Sequence, residues 1–216
     1  VCSTLGIVRC TAEMLQALVE RYEAECKEGR LPRDGWEKRN VSFALLLSKE
    51  GELLQVLPLI QKVLRGKKEV NRPQELIVPA GETRTVGIAP FFLCDNSSYF
   101  LGADLKGKPK RTAECFAAAK ALHEEILDGV GSDSARAVIA FFGHWQGGES
   151  MVRTHPGLAS YADEILAGAN LVFRVASTFV HEEPAVREAW ETHLDASGAE
   201  EKRRCLVTGT LAPIAV

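Results

Sequence analysis

No run of apolar residues in this chain is long enough to cross a bilayer. Val1 to Ala12 lack a basic start followed by an apolar core, and Arg9 interrupts them, so they do not read as a secretory signal. The six cysteines (Cys2, Cys10, Cys26, Cys94, Cys115, Cys205) form no Cys-x-x-Cys pair and have no histidines at finger spacing. That speaks against a zinc site and against a disulfide framework. Buried free thiols in a reducing cytoplasm are the expectation. Internal repeats and low-complexity tracts are missing as well. Clustered Asp, Glu and His of the kind that hold a catalytic metal are not found, and no cofactor is implied. What is there is ordinary globular material: 216 residues, 46% hydrophobic and 25% charged. This suffices for one large domain, or one with a small appendage.

A net charge of −3 argues against a nucleic-acid binder, but its distribution argues otherwise. Leu57 to Arg111 holds ten Lys/Arg against five acids, a net of +5. Thr112 to Glu200 holds five against fourteen, a net of −9. One segment attracts polyanions and the other reads as a solvated acidic helical face, which points to a localised phosphate-binding surface.

Met14 to Glu28 places Leu15, Leu18, Val19, Tyr22 and Cys26 on one stripe of an amphipathic helix, with Thr11 as its N-cap. Val41 to Leu47 and Leu53 to Leu59 read as a β-hairpin turned at Lys49–Glu52. Gln61 to Gly81 has little periodicity and reads as a basic loop beside a sheet, ending in a short Leu76-Ile77-Val78. Four basic residues in seven, Lys62 to Lys68, suit either a solvated loop or phosphate contact. Phe91 to Gly102 then sets two apolar, aromatic runs around Asp95-Asn96-Ser97-Ser98. The polar four read as a hairpin tip. They serve either as a plain turn or as side chains held rigidly where Asn and Ser meet base edges. Helices are expected from Thr112 to Gly129, over Asp133–Phe142, near Gly157–Ala167 and after Pro184. Strands are expected at Leu171–Val175 and from Cys205 to Val207. Early hairpins and a mostly helical second half make the fold class α+β.

Catalytic motifs fail one by one. Gly102-x-x-x-x-Gly107-Lys108 is a phosphate loop without its last letter, because Pro109 stands where Ser or Thr must hold magnesium. Proline also removes a backbone N–H from the anion cradle. Cys94 lies in an apolar run, which raises a thiol pKa and makes it inert. His123 borders the inner stripe of its helix and reads as a satisfied boundary residue. Glu182-Glu183 before Pro184 suits a helix dipole rather than acid/base work. What remains is binding. Lys67, Lys68, Arg72, Lys106, Lys108, Lys110 and Arg111 can neutralise phosphates, and Asn71, Asn96, Ser97 and Ser98 are the candidates for reading edges.

Several stretches together carry a resemblance. They are Met14-Leu-Gln-Ala-Leu, Gly51-Glu-Leu-Leu-Gln-Val-Leu-Pro58, Arg65-Gly-Lys-Lys68, Phe92-Leu-Cys-Asp-Asn-Ser-Ser-Tyr99, Gly107-Lys-Pro-Lys-Arg111, Ile126-Leu-Asp-Gly129, Ile165-Leu-Ala-Gly168 and Cys205-Leu-Val-Thr-Gly209. The chain resembles the N-terminal part of the large subunit of the type I-C (Dvulg subtype) CRISPR Cascade complex, in order from Met14 to about Ile214. Residues 1–13 then read as an extension and 14–216 as one DNA-sensing domain. The resemblance implies a non-catalytic role: recognising the protospacer-adjacent motif in double-stranded DNA and helping to open the duplex for guide-RNA pairing. It also implies as partners the guide-RNA ribonucleoprotein, the Cascade backbone subunits and a recruited helicase-nuclease, and no membrane. The alternative is a structural domain that docks the guide-RNA handle and neighbouring subunits without reading the motif. A nuclease is the remote third reading.

Overall fold

A computed structural model of the chain describes residues 4–66, 68–81, 84, 87–197, 202–204 and 211–213. The chain divides into two compact units, Gly35–Thr192 and, separately, Val1–Asp34 with His193–Val216. The smaller unit opens with α1, Thr4–Lys27. Thr11 therefore lies inside the helix and is not its N-cap. Leu18, Val19 and Tyr22 of the expected stripe are 59, 41 and 43% exposed, and Met14 beside them is 56% exposed.

In the larger unit, β1 (Trp36–Val41) is followed by β2 (Phe43–Leu47) and β3 (Leu53–Pro58). The β2–β3 pair is the expected antiparallel hairpin. Its turn needs a residue without a side chain: Gly51 sits at φ +83°, where a Cβ would lie 2.6 Å from the Ala137 carbonyl oxygen and the Phe141 nitrogen. β4 (Ile60–Arg65) and β5 (Lys68–Pro79) come next. The segment read as a basic loop is thus a second hairpin. Arg65 pairs with Lys68 and Ile60 with Pro73, after which Gln74–Pro79 of β5 turn to pair with β1. The apolar signal was there in Ile60, Val63, Val70, Ile77 and Val78, but charges interleaved along a ribbon hide strand alternation.

β6 (Cys94–Asn96) runs directly into α2 (Ser97–Phe100). The polar run is consequently not a hairpin tip. Asn96 Oδ1 accepts from the Ser98 N–H at 3.0 Å, so the run starts a helix instead of reversing a strand. Pro109 opens α3 (Pro109–Leu127), so Thr112 is inside it, and Gly129 follows its end. Ser132 caps α4 (Asp133–His144) through a bond from the Ala135 N–H. α5 (Glu149–Thr154) was not expected; a 3-10 turn and α6 (Ala162–Leu166) occupy the place of the third helix. β7 (Asn170–Val175), β8 (Thr178–Phe179) and α7 (Pro184–Ser197) follow. The short β9 (Lys202–Arg204) and β10 (Leu211–Pro213) pair in the smaller unit. The strand expected at Cys205–Val207 lies outside the described residues.

The main sheet has the order β3-β2-β7-β6, with β2 and β7 parallel and β8 paired to β7. Both its faces are covered, which is why β2 and β7 are almost continuously apolar. On one face Phe173 meets Phe100 at 4.6 Å and Phe141 at 5.4 Å, and α4 packs on β2 and β7. On the other, Ala44, Cys94 and Val172 pack with Val41, Leu76 and Val78 of the β1-β5-β4 sheet. Antiparallel hairpins early and helices late make the class α+β, as expected.

Candidate nucleic-acid interface

Two exposed basic elements emerge from this frame, both in the larger unit. The first is the β4–β5 ribbon. Arg72 is exposed and pairs with Gln61, while Asn71 pairs with Lys62. Lys68 opens β5 opposite Arg65. Lys67 lies outside the described residues. Ile60, Val63 and Leu64 on β4 are 48, 37 and 74% exposed, so the ribbon mixes cations with bare apolar side chains.

The second is the loop from Gly102 into α3. Lys106, Lys108, Lys110 and Arg111 are all exposed. Asp104 organises the loop: its carboxylate accepts from the Ser98 hydroxyl at 2.9 Å and from the Lys106 N–H at 2.8 Å. Arg111 donates to the Gly87 carbonyl at 3.0 Å. No carboxylate among the described residues pairs with Lys106, Lys108 or Lys110. Three cations therefore face solvent without counter-ions, which sets up a positive field.

The expected base-reading tip is built differently from a hairpin. Ser97 is fully buried, and its hydroxyl has no partner among the described residues. Ser97 cannot reach a base edge. Ser98 is committed to Asp104, and half-buried Asn96 caps α2. Beside them, Asp95 is 1% exposed and accepts from the backbone N–H groups of Phe91 and Asn96. It also takes both terminal nitrogens of the Arg84 guanidinium, one at 3.0 Å. Arg84 is sandwiched between the Phe91 and Tyr99 rings, 3.6 and 4.0 Å from their centroids. Burial pushes the Asp95 carboxyl above its ordinary pKa, against the opposing pull of Arg84 and the two N–H groups. This is a clamp on the 84–95 segment, and it withdraws one cation of the basic stretch from solvent. An Arg eleven residues before an Asp is not a motif, so no local pattern announces the pair.

Two of the groups considered for catalysis, Cys94 and His123, sit in the core. Burial pushes the Cys94 thiol up to about 12, so it stays protonated. His123 is a core residue, not a boundary one, and its hydrogen bonds are satisfied. Nε2 accepts from the Leu93 N–H at 3.0 Å, and Nδ1 donates to the Ala119 carbonyl at 2.7 Å. The first bond holds Leu93 at φ 54°, a conformation rare for a branched residue. No group of three or more His, Cys, Asp or Glu that could hold a metal exists among the described residues. Likewise no described helix is long and apolar enough to cross a membrane.

The lysine loop also roofs a hollow of about 400 Å³, with Phe116 on one wall and the Gln146–Glu149 segment on another. Gly147 and Gly148 have φ of 72° and 101°, and the Gly148 N–H donates to the Leu101 carbonyl. Sequence reasoning missed this segment; the Trp145-Gln-Gly-Gly148 run was its signal, an aromatic and a glutamine ahead of two residues without side chains.

No curated protein matches the chain. The family model described as CRISPR-associated protein (Cas_Csd1) matches residues 18–216. The match spans both units, and it agrees with the resemblance to the type I-C Cascade large subunit. The chain belongs to the Cas_Csd1 family of CRISPR-associated proteins.

Proposed function

We propose that this domain is a non-catalytic sensor of double-stranded DNA within a type I-C interference complex, engaging the protospacer-adjacent motif and helping to start duplex opening. The observation that carries the reading is the set of exposed, unpaired cations at Lys106, Lys108 and Lys110, in a CRISPR-associated family member whose overall charge is negative. The β4–β5 ribbon supplies a second cationic element with exposed Arg72. Phosphate contacts fix orientation, and a few polar groups read the sequence. With Ser97 buried, that second task falls to Asn71 and to the half-buried Asn96. Guide-RNA pairing reads the remainder of the target.

Gel-shift titrations of motif-bearing duplex test the reading. Lys108→Ala with Lys110→Ala, and separately Lys68→Ala with Arg72→Ala, are expected to weaken binding on every sequence. Unchanged affinity in both pairs overturns it. One observation favours the docking alternative: the row Met14, Leu18, Val19 and Tyr22 lies exposed on α1. Binding to guide-loaded backbone subunits with no affinity for free duplex would select that alternative.

A further inference from the structure

Two hollows adjoin on the larger unit. One is the Gly102–Lys108 hollow with Phe116 on its wall. The other, of about 410 Å³, opens between the β2–β3 turn and α5 and is lined by Leu54, Trp145, Met151 and His155. Gln146 lines both. Each has the size of a small-ligand site. We propose that the pair is a track for an unpaired nucleic-acid strand. One base lies against Phe116 with its phosphate at Lys108, and the next lies against Trp145 on the other side of Gln146. This rests on the reading that the domain engages nucleic acid.

The aromatic platforms are fixed and partly open. The Trp145 indole donates to the Leu101 carbonyl at 3.1 Å and is backed by Phe141 at 5.7 Å. Phe116 is backed by Phe142 at 5.5 Å. A rigid ring with open area is what a sequence-tolerant stacking surface requires. Bases inside a duplex have both faces covered by their neighbours, so only an unpaired base can use it. The polar lining divides the work. Asp104 and Glu149 line the first hollow and repel a phosphate from its interior. They suit the amino edge of a base or a sugar hydroxyl, while the phosphate stays at the rim with Lys108. Both carboxylates are held in place, Asp104 as described and Glu149 by Arg153 at 2.8 Å. The Gln146 amide can both donate and accept, as a base edge demands.

Tryptophan fluorescence of the chain, titrated with single-stranded oligothymidylate, oligouridylate and a blunt duplex, tests the track. Trp36 and Trp190 are 6% exposed, so half-buried Trp145 is the indole a stacked base can quench. Quenching by single strands but not by the blunt duplex is expected. Gln146→Ala should weaken the single-strand midpoint by about two- to tenfold, the worth of one hydrogen bond. Lys108→Ala should flatten its logarithmic salt slope by about 0.7. Stronger quenching by oligothymidylate assigns the track to DNA, and by oligouridylate to RNA; either supports it. No quenching by either strand, equal quenching by blunt duplex, or titrations unmoved by both substitutions overturns it. Lost quenching with intact duplex binding sinks the track alone. Intact quenching with no duplex binding sinks the sensor reading alone.

Discussion

Arg84 and Lys108 contribute equally to the +5 of the basic stretch, yet the fold uses them in opposite ways. Arg84 is three-quarters enclosed, with 25% of its side chain exposed, between two aromatic rings and against a buried carboxylate. Lys108 stands on the rim of a hollow with no carboxylate partner among the described residues. A cation held by a carboxylate and two π faces contributes to stability and almost nothing to the external field. A bare one does the reverse. Counting charge along a sequence locates a polyanion surface only after the enclosed cations have been removed from the count.

The sharpest way to break this contrast is Asp95→Ala. It leaves Arg84 enclosed without a counter-ion and frees two backbone N–H groups, so urea unfolding should show a loss of about 3–5 kcal/mol. A loss below about 1 kcal/mol would mean the clamp does not bear on stability. Next is pH. Burial holds His123 and His181 down to about 4, against 6.5 unfolded. Stability should be complete above pH 6.5 and fall as pH drops toward 4, because the unfolded chain binds protons the folded one refuses. Each histidine accounts for up to about 3 kcal/mol. Denaturant titrations at pH 7 and 5 check the sign, and His181→Phe should flatten the profile. Asn96→Ala removes the α2 cap and should cost about 1 kcal/mol. If it also flattens preference among motif sequences, Asn96 reads bases; an equal loss on all duplexes leaves it a cap alone. The smallest stability effect belongs to the pair Lys108→Ala and Lys110→Ala. Melting should stay within about 0.5 kcal/mol of the parent, as for other surface changes, while duplex affinity falls.

The β2–β3 hairpin, α3, α4 and β7 were legible because buried faces impose a period that side chains must follow. Gly51 marked its turn because nothing larger fits against α4. β1 and the β4–β5 ribbon were not legible: Trp36-Glu-Lys-Arg-Asn-Val41 buries only its ends, and the ribbon carries charge where a half-buried strand shows alternation. The Asp95–Ser98 run misled for another reason. Asp, Asn and Ser satisfy backbone groups at turns and at helix starts equally well, so local chemistry cannot choose between them. Of the candidate site, the lysine loop was visible as a run of charge. Its wall at Trp145–Gly148 comes from some forty residues away and was not.

The central claim is that cations left exposed on the surface, at Lys106, Lys108, Lys110 and along the β4–β5 ribbon, hold the phosphates of double-stranded DNA. Duplex affinity measured across a range of salt concentrations tests it most directly. Removing Lys108 and Lys110 together should make the logarithmic slope shallower by about 0.9 for each phosphate no longer neutralised, with the fold intact. A slope identical to that of the unaltered chain would contradict the account.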